Sequence, residues 1–513
     1  MIYREEIVMK KRLVSAAAAL LVLISAASLG FTGCEKTPDD PTEETTMSPE
    51  QVAAVQTLRL PYSKADKMNP FTATSMLNQQ LSALIYDSLF TLDKNYNAKP
   101  ALASSYSQSG RVLTVSLASA KFSDGSSVTA SDVVASFNSA KDSPAYKARL
   151  SGFSSAKVSG NSVVFSLSAD DPYAVNCLTF AVTKGGSKDE GAVGSGRYTY
   201  SVETGVGNLK LNSRHSGFSP KKDSITLHDV KDISVLKYTL EIGNISFAFD
   251  DLRDGSYTRY SASTSEILMN NLVFMTFNKS SSVLSSEKVR QAISLLIDRE
   301  KIADEAFQGH AQAAYTPFNP DWNVLSGKDY TIKTDLEAAG KLLDEAGFVS
   351  KNGSTRANSS KKQLSLNILV NSDNGFKAAA AVSIKEMLEK AKIAVTVTSV
   401  SEKEYLTAVS SGKYDIYIGE VKLTANMNLS PLLKSGGSVT SGINTSGAAS
   451  TAYDAFLTGS TDVYTFIDAF NSDLPFIPLC YRSGIAVYTR TLKYGSGNHA
   501  NDIYADIDTW DFH

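Results

Sequence analysis

The hydrophobic pattern of the chain changes from a continuous run to helical spacing around residues 271–307. Residues 272–277 are all but one apolar and are bounded by asparagines, which is typical of a strand buried on both faces. After a polar loop, Val289, Ile293 and Leu296 recur at helical spacing. This stretch is therefore predicted to be a buried strand that leads into an amphipathic helix.

Strands and helices alternate through the second half of the chain. The pattern predicts strands at residues 364–370, 395–400 and 415–419. Helices are predicted between them, at residues 376–392 and 402–411. Alternation of this kind favours a parallel sheet whose strands are joined by right-handed helical crossovers. An apolar, aromatic run at residues 476–481 predicts a further strand near the end of the chain.

Short strands dominate the prediction for the first half. They are expected at residues 58–62, 111–117 and 163–167, with a helix over residues 74–90 and another after Thr129. The paired carboxylates of Asp170 and Asp171 precede a proline and are read as a solvated turn.

Two capping boxes are predicted to begin helices. Thr129 is followed three residues later by Asp132, and Thr334 is followed by Glu337 at the same spacing. Such a pair can satisfy two backbone N–H groups that have no partner inside the helix. Gly347 stands where a glycine would end the second of these helices.

The N-terminus has the pattern of an export signal. Basic residues at positions 10–12 precede an apolar stretch over residues 13–29. Residues 1–33 are predicted to be a signal peptide, and the small residues before Cys34 resemble a lipobox, so Cys34 would carry lipid. Residues 34–56 are acidic and rich in Pro and Thr, which predicts a flexible tether. The chain would thus be held at the outer face of the cell membrane.

Composition narrows the function classes. With 42% apolar residues, 20% charged residues and a net charge of −3, the 513-residue chain is that of an ordinary globular protein of two or three domains without a nucleic-acid partner. None of its five histidines has a neighbour at metal-ligand spacing, so neither a metal nor a cofactor is predicted. No catalytic constellation is found, which predicts a protein that is not an enzyme. Cys177 and Cys480 are interpreted as buried small hydrophobes in preference to a disulfide.

Several motifs resemble those of one known family. Phe277 and Asn278 lead into V-R-Q-A-I and I-D-R-E at residues 289–293 and 297–300, and F-x-D-G with T-A-x-D-V-V lies at residues 122–134. The segment A-A-G-K-L-L-D-E-A-G-F occupies residues 338–348. This set is similar to that of the family 5 solute-binding proteins, the peptide, nickel and oligosaccharide receptors of ABC importers.

The resemblance implies an α/β fold of two lobes, a clamp of the class II periplasmic-binding-protein type with an extra N-terminal subdomain. Lobe I would be built from residues 57–80, 158–274 and 484–513, the extra subdomain from residues 81–157, and lobe II from residues 275–483. Such a receptor would work as a monomer, bind a peptide or another small solute between its lobes, and deliver it to the permease subunits of the importer.

The resemblance also implies where the ligand binds. Carried over by position, the expected contacts are Asn278, Tyr315, Trp322, Glu420, Lys422, Asn426, Tyr481 and Arg482. Peptide-binding members have G-W-x-x-D after the corresponding strand, and the Asp holds the ammonium of the peptide.

This chain has Glu420 and Lys422 in that region, without the Trp or the Asp. Lys422 would repel an ammonium and favour an anion, whereas Glu420 could replace the missing Asp. The solute is therefore expected to be peptide-like or, alternatively, a non-peptide such as an oligosaccharide. A surface hydrolase or an adhesion module on the same tether is the alternative from another class.

Overall fold

The structure is a computed structural model that describes residues 56–231, 233–278 and 280–513. The predicted signal peptide, Cys34 and the tether up to residue 55 lie outside the described residues. In the part that is described, none of the helices combines the length and the apolar character that a membrane crossing requires.

The first half of the described chain, residues 56–262, consists mainly of short strands. They are β1 (Arg59–Tyr62), β2 (Phe90–Leu92), β3 (Ala98–Pro100), β4 (Ala103–Ser109), β5 (Val112–Leu117), β6 (Phe153–Ser159), β7 (Ser162–Leu167), β8 (Tyr198–Glu203), β9 (Val206–Leu211), β10 (Ser224–Asp229) and β11 (Phe247–Asp250). The helices are α1 (Met76–Ile85), α2 (Ala130–Lys141) and α3 (Leu236–Glu241), with 3-10 turns at Ala174–Cys177, Lys184–Gly186 and Ile233–Val235. One four-stranded sheet has the order β1-β10-β9-β8, a second has the order β4-β5-β7-β6, and β2 pairs with β3.

The second half, residues 263–513, is built around one long sheet. Its strands are β12 (Ser263–Phe277), β13 (Ala311–Ala313), β14 (Ser365–Asn371), β15 (Ala394–Val400), β16 (Ile416–Lys422), β17 (Phe476–Tyr488), β18 (Leu492–Lys493) and β19 (Asp511–Phe512). Its helices are α4 (Glu287–Leu296), α5 (Arg299–Lys301), α6 (Leu336–Glu345), α7 (Gly375–Lys390), α8 (Glu402–Ser410), α9 (Ser430–Leu433), α10 (Ala448–Leu457) and α11 (Val463–Asp473). A π-helical turn at Ile302–Ala306 and 3-10 turns at Asn323–Leu325 and Ile507–Thr509 complete it. The sheet order is β11-β17-β12-β16-β14-β15, with β13 on β17, while β18 pairs with β19.

The long sheet is mixed. The predicted parallel arrangement is confirmed for β14, β15 and β16. β12 pairs antiparallel with β16 on one side and with β17 on the other, so the rest of the sheet differs from the prediction.

Strand lengths also differ from the prediction. β12 begins at Ser263, earlier than predicted. Its first part is polar and alternates between exposed and half-buried positions, so only the later apolar run indicates a strand in the sequence. β16 continues to Lys422, so Glu420 and Lys422 belong to a strand and not to the loop that was expected after residue 419. Helix α1 ends at Ile85, before the predicted end at residue 90.

The helix starts give one confirmation and one correction. Thr129 and Asp132 form the predicted capping box. The box predicted for Thr334 and Glu337 is wrong, because the carboxylate of Asp335 accepts from the N–H of Ala338 at 2.8 Å and begins α6 one residue later. Gly347 has a φ of +87°, which confirms the left-handed residue expected after that helix.

The described residues form three hydrophobic cores. The first lies in the first half and is completed by C-terminal residues such as Trp510. The second and third cores contain apolar side chains from the two faces of β12. Val273 and Met275 belong to the second core, and Leu272 and Phe274 belong to the third. Successive strand residues point to opposite faces, so these two cores cover the two faces of the long sheet. The third core also contains Tyr96 of the first half, which packs against the second half.

β12 and β17 run without interruption through the lobe boundaries expected near residues 274 and 483. Their pairing register shifts between Leu268 and Asn271 and again between Val273 and Phe274. Register shifts of this kind bend a strand and raise its local twist. The two longest strands of the described chain are thus irregular where the sequence predicts a crossing between lobes.

Candidate functional site

A buried charge network lies where β12, β16 and β17 run side by side. Glu420 Oε1 accepts from Arg482 Nε at 3.1 Å and from Asn271 Nδ2 at 2.8 Å, and Lys377 Nζ lies 2.9 Å from Oε2. The side chains of Glu420 and Arg482 are only 15% and 4% exposed. Arg482 also donates to the carbonyl of Asp251. Strand pairing and α7 therefore fix the position of this carboxylate.

The network keeps Glu420 ionised. Burial by itself would raise the pKa of Glu420, but the charges of Lys377 and Arg482 and the hydrogen bonds from Lys377 and Asn271 lower it to about 2. Two cations surround one carboxylate, so the network has no negative charge left for a ligand ammonium. The expectation that Glu420 could replace the missing Asp of peptide-binding relatives is not supported by this geometry.

Lys422 lies two residues further along β16, on the same face of the sheet as Glu420. Its side chain is exposed, and it forms no ion pair with a carboxylate of the described residues. The surrounding protein nevertheless lowers the pKa of Lys422, first through burial and next through the charge of Arg149. This exposed side chain stands at the end of β16, where residues of the first half contact the chain that follows it. We call this the Lys422 recess.

Residues 171–179 of the first half contact the chain just after Lys422. Asn426 Nδ2 donates to Asp171 Oδ2 at 2.6 Å, and Asn176 Nδ2 donates to the carbonyl of Ala425 at 3.2 Å. The Lys422 recess is thus bounded by both halves of the molecule.

Asp171 corrects the prediction of a solvated acidic turn. Asp170 is partly exposed and pairs with Arg111 at 2.8 Å, as a surface carboxylate does. Asp171 is half-buried, and burial raises its pKa although Asn426 and the N–H of Tyr173 donate to it. The pairing with Asn426 was not apparent in the sequence because the two residues are 255 positions apart.

Trp322 and Tyr481 are buried in the third core. Trp322 packs against Tyr173 with ring centroids 4.9 Å apart, and the hydroxyl of Tyr481 donates to the carbonyl of Pro317 at 2.9 Å. Both side chains support the region between the halves through packing.

Asn278 and Tyr315 lie apart from the charge network. Asn278 Nδ2 donates to the carbonyl of Tyr414 at 2.8 Å and lines a cavity of about 540 Å³. It is seven residues beyond Asn271 on the same chain, which is about 23 Å along a strand. The hydroxyl of Tyr315 donates to Glu300 at 3.0 Å. Of the eight expected contacts, the structure therefore groups Glu420, Lys422, Asn426 and Arg482.

The sequence interpretation missed Lys377, Asn271, Arg149 and Asp171. None of them belongs to a motif, and each reaches the site through a tertiary contact that periodicity does not reveal. Of these four residues, only Asn271 could have been singled out from the sequence, because a polar residue inside a buried strand requires a hydrogen-bond partner.

Two remaining predictions concern chemistry. Cys177 and Cys480 are free and buried, which confirms the interpretation as small hydrophobes. No group of three His, Cys, Asp or Glu side chains suited to a metal ion occurs among the described residues.

The chain is similar in sequence to known bacterial binding proteins. The oligopeptide-binding protein AppA of Bacillus subtilis is 25% identical over 231 residues, which cover 44% of this chain and 42% of AppA. The glutathione-binding protein GsiB of Escherichia coli K12 is 26% identical over 306 residues, 55% of this chain and 59% of GsiB. The chain thus matches about half the length of these relatives.

The fold has solved counterparts. The structure of a nickel ABC transporter protein from Bacillus halodurans superposes with a TM-score of 0.74 at 17% identity, covering 89% of this chain and all of that one. This likeness confirms the predicted α/β, two-lobed binding-protein fold. The relatives are binding proteins, which confirms that the chain is not an enzyme.

The sequence profile of the bacterial extracellular solute-binding proteins, family 5, matches residues 97–435, well over half of the chain. Those residues include the first-half segment 171–179 and the strand that carries Glu420 and Lys422. The chain belongs to the family 5 extracellular solute-binding proteins of bacteria.

Proposed function

We propose that this protein is the receptor of an ABC importer. It captures a peptide-like or other small solute between its two lobes and delivers it to the permease subunits. The observation that carries the proposal is the Lys422 recess, which is bounded by residues from both halves of the chain. It lies at the carboxyl end of β16, and ligands of α/β sheets bind at the carboxyl ends of parallel strands.

Lobe closure is the proposed capture step. A solute that contacts both lobes only in the closed form shifts the population toward that form by the free energy of those extra contacts. The irregular pairing of β12 with β17 around Asn271 and Arg482 supports a hinge in these strands. The contacts of Asn426 and Asn176 with opposite halves support a closed arrangement.

The charges of the site favour a solute without a free ammonium. Glu420 is already neutralised by Lys377 and Arg482, whereas Lys422 is not paired with any described carboxylate. An ammonium placed beside Lys422 would have no partner and would be repelled. Peptides with a free amino terminus are therefore proposed to bind weakly. A non-peptide solute such as an oligosaccharide is the second candidate, because it needs no ammonium anchor.

The proposed location of the protein in the cell rests on the sequence before residue 56. We propose that the signal peptide is removed, that Cys34 is lipidated, and that residues 34–56 tether a monomeric receptor to the outer face of the membrane. The basic and apolar pattern before Cys34 and the acidic composition after it support this.

Native mass spectrometry of protein purified from its own host tests the receptor function. We expect a small solute bound in a one-to-one ratio and lost after denaturation and refolding. Absence of any bound solute, together with no thermal stabilisation by the small-molecule fraction of the host, would contradict the proposal. Mass spectrometry also identifies the solute and so decides between the two candidates.

A further inference from the structure

Two cations approach the Lys422 recess from opposite halves of the chain. Arg149 belongs to the first half, and its Nη1 donates to the hydroxyl of Thr179 at 2.6 Å and to the carbonyl of the same residue at 3.0 Å. The guanidinium also lies 5.5 Å from the ring centroid of Tyr146. Like Lys422, Arg149 forms no ion pair with any carboxylate that the structure describes.

Residues 171–179 contact both Arg149 and the chain that follows Lys422. Thr179 holds Arg149, and Asn176 and Asp171 hold Ala425 and Asn426, which follow Lys422 by three and four residues. One short segment of the first half thus fixes both the guanidinium and the chain that carries the ammonium. The positive charge of Arg149 lowers the pKa of Lys422, so the two charges are close enough to repel each other.

The acidic groups around the recess are already paired. Arg253 lies 3.1 Å from Asp251, and Glu420 is held by Lys377 and Arg482. Asp171 accepts from Asn426 and from the N–H of Tyr173, and it forms no ion pair with Arg149 or Lys422. The recess therefore carries a surplus of positive charge, which costs free energy when the halves come together without a counter-ion.

We propose that an anionic group of the solute, such as a carboxylate, binds between Arg149 and Lys422 and links the two halves. This inference rests on the proposed receptor function and names the chemistry of its ligand. The anion converts a repulsion into two charge-assisted contacts, one from each half. A planar guanidinium and a mobile ammonium can both donate hydrogen bonds to a carboxylate, and they can bind it in more than one orientation. Arg149 and Lys422 thereby set the charge specificity of the receptor.

Matched ligand pairs test the proposal. One pair consists of N-acetylated tripeptides as free acids and as carboxamides, and the other of oligosaccharides with and without a uronic acid. Calorimetry on refolded, ligand-free protein should show the acid of one pair binding at least tenfold more tightly than its neutral partner. The pair that responds identifies the source of the anion.

Three variants assign the effect to the two cations. Arg149→Gln and Lys422→Gln should each weaken binding of the acid by about ten- to a hundredfold and leave the weak binding of the neutral partner unchanged. Lys147→Gln removes an exposed cation two residues from Arg149 and should change neither. Circular dichroism spectra matching those of the wild type show that the variants are folded.

Measuring the radius of gyration without solute tests the proposal independently of the ligands chosen as probes. In the absence of solute, the double variant Arg149→Gln, Lys422→Gln should have a smaller radius of gyration than the wild type at low salt, because the repulsion is gone. An unchanged radius would overturn the proposal. Tight binding of a neutral partner would also overturn it while leaving the receptor function intact, whereas absence of any bound solute in protein from the native host contradicts the receptor function itself.

Discussion

Glu420 and Arg482 form a buried ion pair of 3.1 Å across β12, the strand that separates β16 from β17. Lys377 completes the network from α7 at 2.9 Å. The sequence offered Glu420 as a possible anchor for a ligand ammonium, but the structure commits this carboxylate to the protein itself. The charge that remains for a ligand in this region is positive, and it belongs to Lys422.

Loss of the Glu420 carboxylate should destabilise the fold strongly. Glu420→Gln leaves Lys377 and Arg482 buried without their counter-ion, and breaking a buried pair in this way costs about 3–5 kcal/mol. Asp468→Asn is the matched control, since Asp468 forms an exposed pair with Lys328 and its loss should cost less than about 1 kcal/mol. Urea unfolding followed by circular dichroism measures both. Equal free energies of unfolding for the two variants would contradict the role of the network.

The same network predicts an acid-dependent stability. The folded protein holds the pKa of Glu420 at about 2, below its ordinary value of 4.5. A carboxyl with a depressed pKa contributes stability that is fully present above pH 4.5 and is lost as the pH falls toward 2.

The difference in unfolding free energy between the wild type and Glu420→Gln should therefore shrink across that window. Thermal unfolding at a series of pH values measures it. A difference that stays constant as the pH falls would show that the Glu420 charge does not stabilise the fold.

Free peptides should bind weakly. Without a free carboxylate in the recess, a desolvated ammonium loses its partner, which costs several kcal/mol and about two decades or more in affinity. Calorimetry of a mixed library of tri- to hexapeptides against the wild type, Glu420→Gln and Lys422→Ala measures the effect. Micromolar binding that persists in Lys422→Ala and disappears in Glu420→Gln, with the circular dichroism spectrum of that variant showing it to be folded, would restore Glu420 as the ammonium anchor.

Lipidation should depend on a single cysteine. In Cys34→Ala the protein is expected to leave the membrane fraction, because the tether that follows has no apolar segment to replace the lipid. Fractionation of the host cells with an antibody against the folded domain measures this. Cys177→Ala, which changes a buried cysteine, serves as the control and should stay with the membrane. Membrane association and signal processing of Cys34→Ala equal to those of the wild type would rule out the lipid anchor.

Local patterns predicted much of the architecture. The strands near residues 364–370 and 395–400 and the helix between them are present almost as expected, because their apolar periodicity is undisturbed by function. The capping box of Thr129 and the left-handed Gly347 are also local features, and both are confirmed. Motifs between residues 122 and 348 were sufficient to indicate the family and, through the resemblance, the two-lobed fold.

The site was predicted only in part, and the reasons are physical. Glu420 and Lys422 were assigned to a loop because charged side chains rarely continue a buried strand, yet here Lys377, Arg482 and Asn271 satisfy the carboxylate inside the sheet. Arg149 approaches the recess through tertiary contacts alone. No pattern along the sequence could place it next to residues more than 250 positions away.

The proposed receptor works by closing its two lobes on a solute, and small-angle X-ray scattering measures this closure. The solute recovered from the native protein is added at saturation to refolded, ligand-free protein. We expect a smaller radius of gyration with the solute than without it, because β12 and β17 bend near Asn271 and Arg482 and the lobes move together. Identical scattering profiles with and without saturating solute would contradict a two-lobe clamp.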